Sequence, residues 1–135
     1  MLKLVEQIDD GDCATASLAM FLGLSYKTVL REAKKIAKNP EKKGLWISQI
    51  MKISRRFGVP LRRSRNFNFE YAEIGLLNVE NYGLAWRKTK RAAPESHLVV
   101  IYKGVIYDPW GPSAWSPEEY RKRNKSKFTS VLWPK

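Results

Sequence analysis

The ten residues Leu98-Val-Val-Ile-Tyr-Lys-Gly-Val-Ile-Tyr107 constrain the fold more than any other stretch of this chain. Two runs of β-branched and aromatic residues flank a Lys-Gly pair, which is the pattern of a β-hairpin. The first run is apolar at every position and reads as a buried strand. Whatever else the chain builds must therefore cover a sheet centred on these residues.

Upstream, the apolar period is that of helices. Asp12 is placed to cap a helix from Cys13, in which Ala14, Leu18, Phe21 and Leu22 fall at three- and four-residue spacings and predict one buried face, with Ser17 at its margin. Gly23 stops that helix. Ser25 caps a second one, with Tyr26, Val29, Leu30, Ala33, Ile36 and Ala37 inward, Lys27, Arg31, Lys34, Lys35 and Lys38 outward, and Asn39-Pro40 ending it. A third helix is predicted from about Leu45 to Phe57, closed by Gly58-Val59-Pro60. Beyond Pro60, Leu61–Arg65 reads as a short strand, Phe69–Leu77 as one or two helical turns, and Tyr82–Trp86 as a strand. Ser116 and Pro117 open a short last helix, and Phe128–Trp133 is a closing strand. Helices come first and antiparallel strands last, which predicts an α+β fold in one domain spanning residues 1–135.

The 135 residues include one cysteine, so no internal disulfide can form. Acidic residues follow Met1 too soon for a secretory signal, and no run approaches the roughly 20 apolar residues of a membrane span. A cytoplasmic protein is expected. The net charge of +12 favours polyanions or acidic partners. The clusters Arg87, Lys88, Lys90, Arg91 and Arg121, Lys122, Arg123, Lys125 are the candidate surface for such a partner, although charge runs are more often solvated faces. Trp46, Trp86, Trp110, Trp115 and Trp133 are expected in the core or in a cleft wall, with Trp110 at the cleft.

Chemistry converges on the single cysteine and the single histidine. Cys13 begins a helix, whose N-terminal partial charge favours the thiolate, and the thiolate is the nucleophile. His97 begins a buried strand, where it can take the thiol proton and return it to a leaving amine. Asp108 is the candidate to orient the imidazole. If Lys103 and Gly104 form a two-residue turn, Val99 faces Asp108 and His97 becomes its diagonal neighbour; a three-residue loop would turn Asp108 away. Gln7 could add a side-chain amide to the Cys13 backbone N–H as donors to an oxyanion. Either Cys13 or His97 alone would more often be structural. Asp9 and Asp10 read as solvated loop residues, and no metal or other cofactor is expected, since Cys13, His97 and Asp108 would be its only candidate ligands.

The segment Gln7-Ile-Asp-Asp-Gly-Asp-Cys13-Ala-Thr-Ala-Ser-Leu-Ala-Met20 resembles the N-terminal motif of the bacteriocin-processing cysteine peptidases, papain-like domains that cleave leader peptides after a double glycine. His97-Leu-Val-Val-Ile-Tyr102, Val105-Ile-Tyr-Asp108-Pro109, Gly111 and Ser116-Pro-Glu-Glu-Tyr120 resemble that family's later elements. The resemblance runs through nearly the whole chain and is thin over residues 60–80. It implies a papain-like fold, helices packed on a C-terminal antiparallel sheet, and a peptide or protein substrate. It also implies Gln7 as oxyanion donor, Cys13 as nucleophile, His97 as base and Asp108 as orienting residue. Ala14 stands where the family usually has glycine, which bears on substrate preference. Two other readings stay open: an idle papain-like module that binds an acidic protein or nucleic acid, and an acyltransferase or deamidase that uses the same residues.

Overall fold

The computed structural model describes residues 2–6, 8, 12–69, 73–80, 96–110, 113–124 and 127–135. Four helices come first: α1 (Cys13–Leu22), α2 (Tyr26–Ile36), α3 (Pro40–Lys43) and α4 (Ile47–Arg56). They are followed by β1 (Leu61–Ser64), β2 (Ile74–Glu80), β3 (Ser96–Tyr102), β4 (Val105–Asp108), β5 (Ser113–Trp115), α5 (Pro117–Asn124) and β6 (Lys127–Pro134). The strands form one antiparallel sheet in the order β1-β6-β2-β3-β4-β5. The α+β class and the helices-then-sheet arrangement are as the sequence predicts.

Strand alternation divides the core in two. Leu76, Leu98, Val100, Tyr107 and Leu132 point to one face and pack with Leu18, Val29 and Ile53 of the helices. Leu77, Val79, Val99, Ile101, Ile106 and Val131 point to the other, under Tyr120 of α5 and Phe67 and Phe69 of the preceding loop. The sheet is thus covered on both sides, α1–α4 on one and α5 with the loop on the other.

Three expectations change. First, α1 does not bury one face: every residue from Cys13 to Phe21 is buried, because β3, β2, α2 and α4 surround it. Thr15, Ala16 and Ser17 fit there because they are small, and a hydrophobic period does not register them. Second, the stretch that reads as helical turns up to Leu77 contains a central strand instead. Ile74–Glu80 lies between β3 and β6, and burial on both faces overrides the helix preference of its leucines. Gly75 serves this strand by its lack of a side chain, since a Cβ there would lie 2.6 Å from the Trp133 ring. Third, Asn39-Pro40 does not simply end a helix; α2 ends at Ile36, and Pro40 starts the single turn α3. The strand expected at Tyr82–Trp86 lies outside the described residues.

Candidate active site

The β3–β4 turn decides whether His97 and Asp108 can meet. Lys103 and Gly104 have φ of 49° and 79°, so both central residues are left-handed, as a tight two-residue hairpin turn requires. The register that follows pairs Tyr102 with Val105, Ile101 with Ile106 and Val100 with Tyr107. One step further, Asp108 falls opposite Val99 and diagonal to His97, on the sheet face that carries Ile101 and Ile106. His97 Nε2 and Asp108 Oδ1 are 2.7 Å apart, and both side chains are buried.

Asp108 is held by two further donors. The Trp110 backbone N–H donates to Oδ1 at 2.9 Å, and the Tyr120 hydroxyl donates to Oδ2 at 2.8 Å. Trp110, expected at a cleft, is 38% exposed beside this turn. Cys13 opens α1, is only 9% exposed, and lies close enough for a charge on it to act on the His97 ring. Because Nε2 serves Asp108, Nδ1 is the ring nitrogen left for the sulfur. Burial disfavours a charged His97, but a negative charge on Cys13 and the charge and hydrogen bond of Asp108 outweigh it, and the pKa is pushed up to about 10. These surroundings therefore favour the protonated imidazole.

Asp12 occupies the N-cap position of α1 but does not cap it with its side chain. Its fully buried carboxylate is committed elsewhere: Oδ2 accepts from the Ile8 backbone N–H at 2.8 Å and from the Tyr26 hydroxyl at 2.6 Å. It ties Ile8, ahead of Cys13, to α2. Gln7, Asp9 and Asp10 lie outside the described residues.

Tyr120 and Tyr26 are the two contributors that sequence reasoning missed. Tyr120 did leave a signal, as the one apolar-bodied residue of the otherwise polar helix Pro-Glu-Glu-Tyr-Arg-Lys-Arg-Asn. The capping of α5 is as expected, since the Glu119 N–H donates to Ser116 Oγ at 3.2 Å.

The proposed polyanion clusters fare differently. Arg87, Lys88, Lys90, Arg91 and Lys125 lie outside the described residues. The guanidinium groups of Arg121 and Arg123 lie over the Phe128 and Trp115 rings, at 4.4 and 5.3 Å from their centroids. Trp133 is fully buried as expected, but Trp46 is 77% exposed and is neither core nor cleft wall. Among the described residues no group of three or more His, Cys, Asp or Glu could hold a metal ion, and no helix is long and apolar enough to cross a membrane.

No family model and no curated protein sequence matches this chain. Solved structures do. The peptidase domain of Streptococcus ComA, a bifunctional ABC transporter involved in a quorum-sensing pathway, is 20% identical with a TM-score of 0.65, each chain covered completely. A double-glycine-motif protease from an AMS/PCAT transporter, in complex with the leader peptide, is 18% identical with a TM-score of 0.60, covering 100% of this chain and 93% of the other. The peptidase domain of Streptococcus mutans ComA is 18% identical with a TM-score of 0.59 over 97% of each chain. The element order and the sheet described above are therefore those of the papain-like fold found in the double-glycine peptidase domains of ComA-type transporters.

Proposed function

We propose that this protein is a cysteine peptidase that cleaves a peptide or isopeptide bond through a thioester on Cys13. The observation that carries the reading is the buried line from Cys13 through the His97 ring to Asp108, on a fold shared with peptidases. The Cys13 thiolate attacks the substrate carbonyl, and the His97 imidazolium gives its proton to the departing amine. Water then attacks the thioester, losing a proton to His97 and releasing the acid and the Cys13 thiolate, which restores the starting pair. Asp108 keeps the ring in the tautomer with Nδ1 toward sulfur, and the Cys13 backbone N–H with the Gln7 amide receive the oxyanion. A reducing compartment, the cytoplasm, suits a reaction that needs its single cysteine free.

A peptide substrate is favoured by the likeness to a protease described in complex with a leader peptide. The test is intact-mass detection of an adduct with peptide-based electrophiles, followed by cleavage assays on peptides with small residues before the scissile bond. Labelling and cleavage that both vanish in Cys13→Ala support the reading. A folded wild type that labels no faster than a denatured one refutes it. A new amide in place of the free acid would point to the transferase variant, and ammonia released from a side-chain amide to the deamidase.

A polyanion partner is favoured by a different surface from the one the sequence clusters suggest. Residues 25–66 carry thirteen Lys and Arg against two carboxylates, which is +11 of the chain's +12. Both carboxylates are paired, Glu32 with Lys35 and Arg56, and Glu41 with Lys34. Lys42, Lys43 and Trp46 are all exposed and fall within five residues of one another in the sequence. We assign this basic stretch to a nucleic-acid backbone, with Trp46 available for base stacking. Binding of single-stranded DNA that weakens steeply with salt and is lost on joint replacement of Lys42, Lys43 and Lys52 by Gln is the expected result; equal binding by that variant overturns it.

A further inference from the structure

Asp108 is the most heavily constrained side chain near the proposed nucleophile. Its Oδ1 is shared by His97 Nε2 and the Trp110 N–H, and its Oδ2 takes the Tyr120 hydroxyl. The three donors come from three places, namely β3, the turn after β4, and α5. A carboxylate can turn about its Cβ–Cγ bond, which would exchange the oxygen facing His97. The Trp110 N–H and the imidazole both bind one oxygen, so they leave the other free to seek a partner. Tyr120 supplies it. Its ring is fully buried in the second core cluster among Val99, Ile101 and Ile106, so its hydroxyl has a fixed position.

We propose that Tyr120 is a positioning residue that locks the Asp108 carboxylate with Oδ1 toward His97, and so sets the tautomer and direction of the imidazole that serves Cys13. The Tyr120 hydroxyl donates to Asp108 Oδ2, and the proposed action runs through that carboxylate. The charged groups acting on His97 are Cys13 from α1 and Asp108 from β4, and Tyr120 changes only the placement of the second. The consequence for turnover rests on the peptidase reading, whereas the consequence for His97 does not.

His97 is the single histidine of the chain, so its ring nitrogens can be read without ambiguity in ¹⁵N-labelled protein. In the wild type the Nε2-bound proton should be dominant whenever the ring is neutral. In Tyr120→Phe, the ring should show a mixture of tautomers and lose its proton at lower pH, since the Asp108 interaction that favours the charged ring is loosened. If peptides are cleaved, kcat should fall about tenfold with KM little changed, as expected for loss of one hydrogen bond to a charged group. Unchanged ring shifts and an unchanged titration would reduce Tyr120 to a packing residue, whether or not any peptide is cleaved. If Tyr120→Phe does not fold, the same substitution in the Asp108→Asn background decides. A hydroxyl that acts through the carboxylate is dispensable there, and one that is equally needed there overturns the proposal.

Discussion

Ser17 Oγ donates to the Leu98 carbonyl oxygen at 2.7 Å, joining residues 81 apart in the chain. Ser17 lies one helical turn beyond Cys13, and Leu98 follows His97 directly, so one buried hydrogen bond fixes the helix of the sulfur against the strand of the imidazole. Ser17→Ala should cost about 1 kcal/mol in chemical denaturation, the usual net worth of one such bond. It should also slow iodoacetamide modification of Cys13 at pH 6, because the ring is no longer held to the sulfur. A variant that is destabilised but alkylates at the wild-type rate would show that the clamp serves stability alone.

The pH behaviour follows from His97. Burial lowers its proton affinity, and the anions at Cys13 and Asp108 more than reverse this, leaving the folded value at about 10 against 6.5 for an ordinary histidine. A group raised on folding stabilises the native state fully below the unfolded value, and that contribution is lost as pH climbs through the folded one. Stability owed to His97 should therefore be complete below about pH 6.5 and fade from there toward pH 10. Removing the sulfur by Cys13→Ala takes away the first-ranked of the influences that raise the His97 pKa. The His97 titration midpoint, read by NMR, should fall, and the loss of stability between pH 7 and 10 should shrink. A midpoint that does not move would show that no charge on Cys13 acts on the ring.

Gly75 gives the sharpest packing prediction. A Cβ there would stand 2.6 and 2.7 Å from Cε3 and Cζ3 of Trp133, a fully buried ring, and 3.1 Å from the Leu132 carbonyl oxygen. The tryptophan is wedged in the second core cluster and has no free end to swing. Gly75→Ala should lose about 1–3 kcal/mol, the range for overpacking a filled core, instead of gaining from reduced backbone freedom. Joint replacement of Trp133 by Leu should relieve the clash, so the two effects should be far from additive. Additive losses would place the strain elsewhere.

How much of this was legible beforehand depended on how local its cause was. The His97–Asp108 approach was readable because a Lys-Gly turn fixes register within a few residues, and register fixes which side chains share a face. The caps at Ser25 and Ser116 were readable for the same reason. The central strand Ile74–Glu80 was not, since Leu76 and Leu77 take their strand conformation from β3 and β6, whose pairing no local pattern announces. The full burial of α1 was hidden by Thr15, Ala16 and Ser17, which look polar or neutral in a hydrophobic period. Tyr26 and Tyr120 were hidden because each finds its carboxylate 14 and 12 residues away, through the packing of a whole helix. The exposure of Trp46 had no signal at all, as a large aromatic is ordinarily read as core.

The segment before Cys13, the proposed nucleophile, carries the last prediction. Asp12 is fully buried, and the Tyr26 hydroxyl and the Ile8 N–H both donate to its Oδ2, at 2.6 and 2.8 Å. Gln7, the proposed oxyanion donor, immediately precedes Ile8 in the sequence. Tyr26→Phe removes one donor from a buried carboxylate and should cost about 1.5–3 kcal/mol of stability, the range for hydrogen bonds to charged groups. Its effect on chemistry should be selective. Alkylation of Cys13 depends on sulfur and imidazole and should change little, whereas amide hydrolysis needs the oxyanion donors and should slow by about tenfold. Gln7→Ala should slow hydrolysis by roughly 10²–10³, the usual cost of losing one oxyanion donor. If Tyr26 acts by placing that segment, adding Tyr26→Phe to Gln7→Ala should cost little more in kcat, because the group it positions is already gone. Fully additive losses, or a Tyr26→Phe variant that slows alkylation as much as hydrolysis, would mean that Asp12 and Tyr26 act on the sulfur or on the fold as a whole and not on the oxyanion segment.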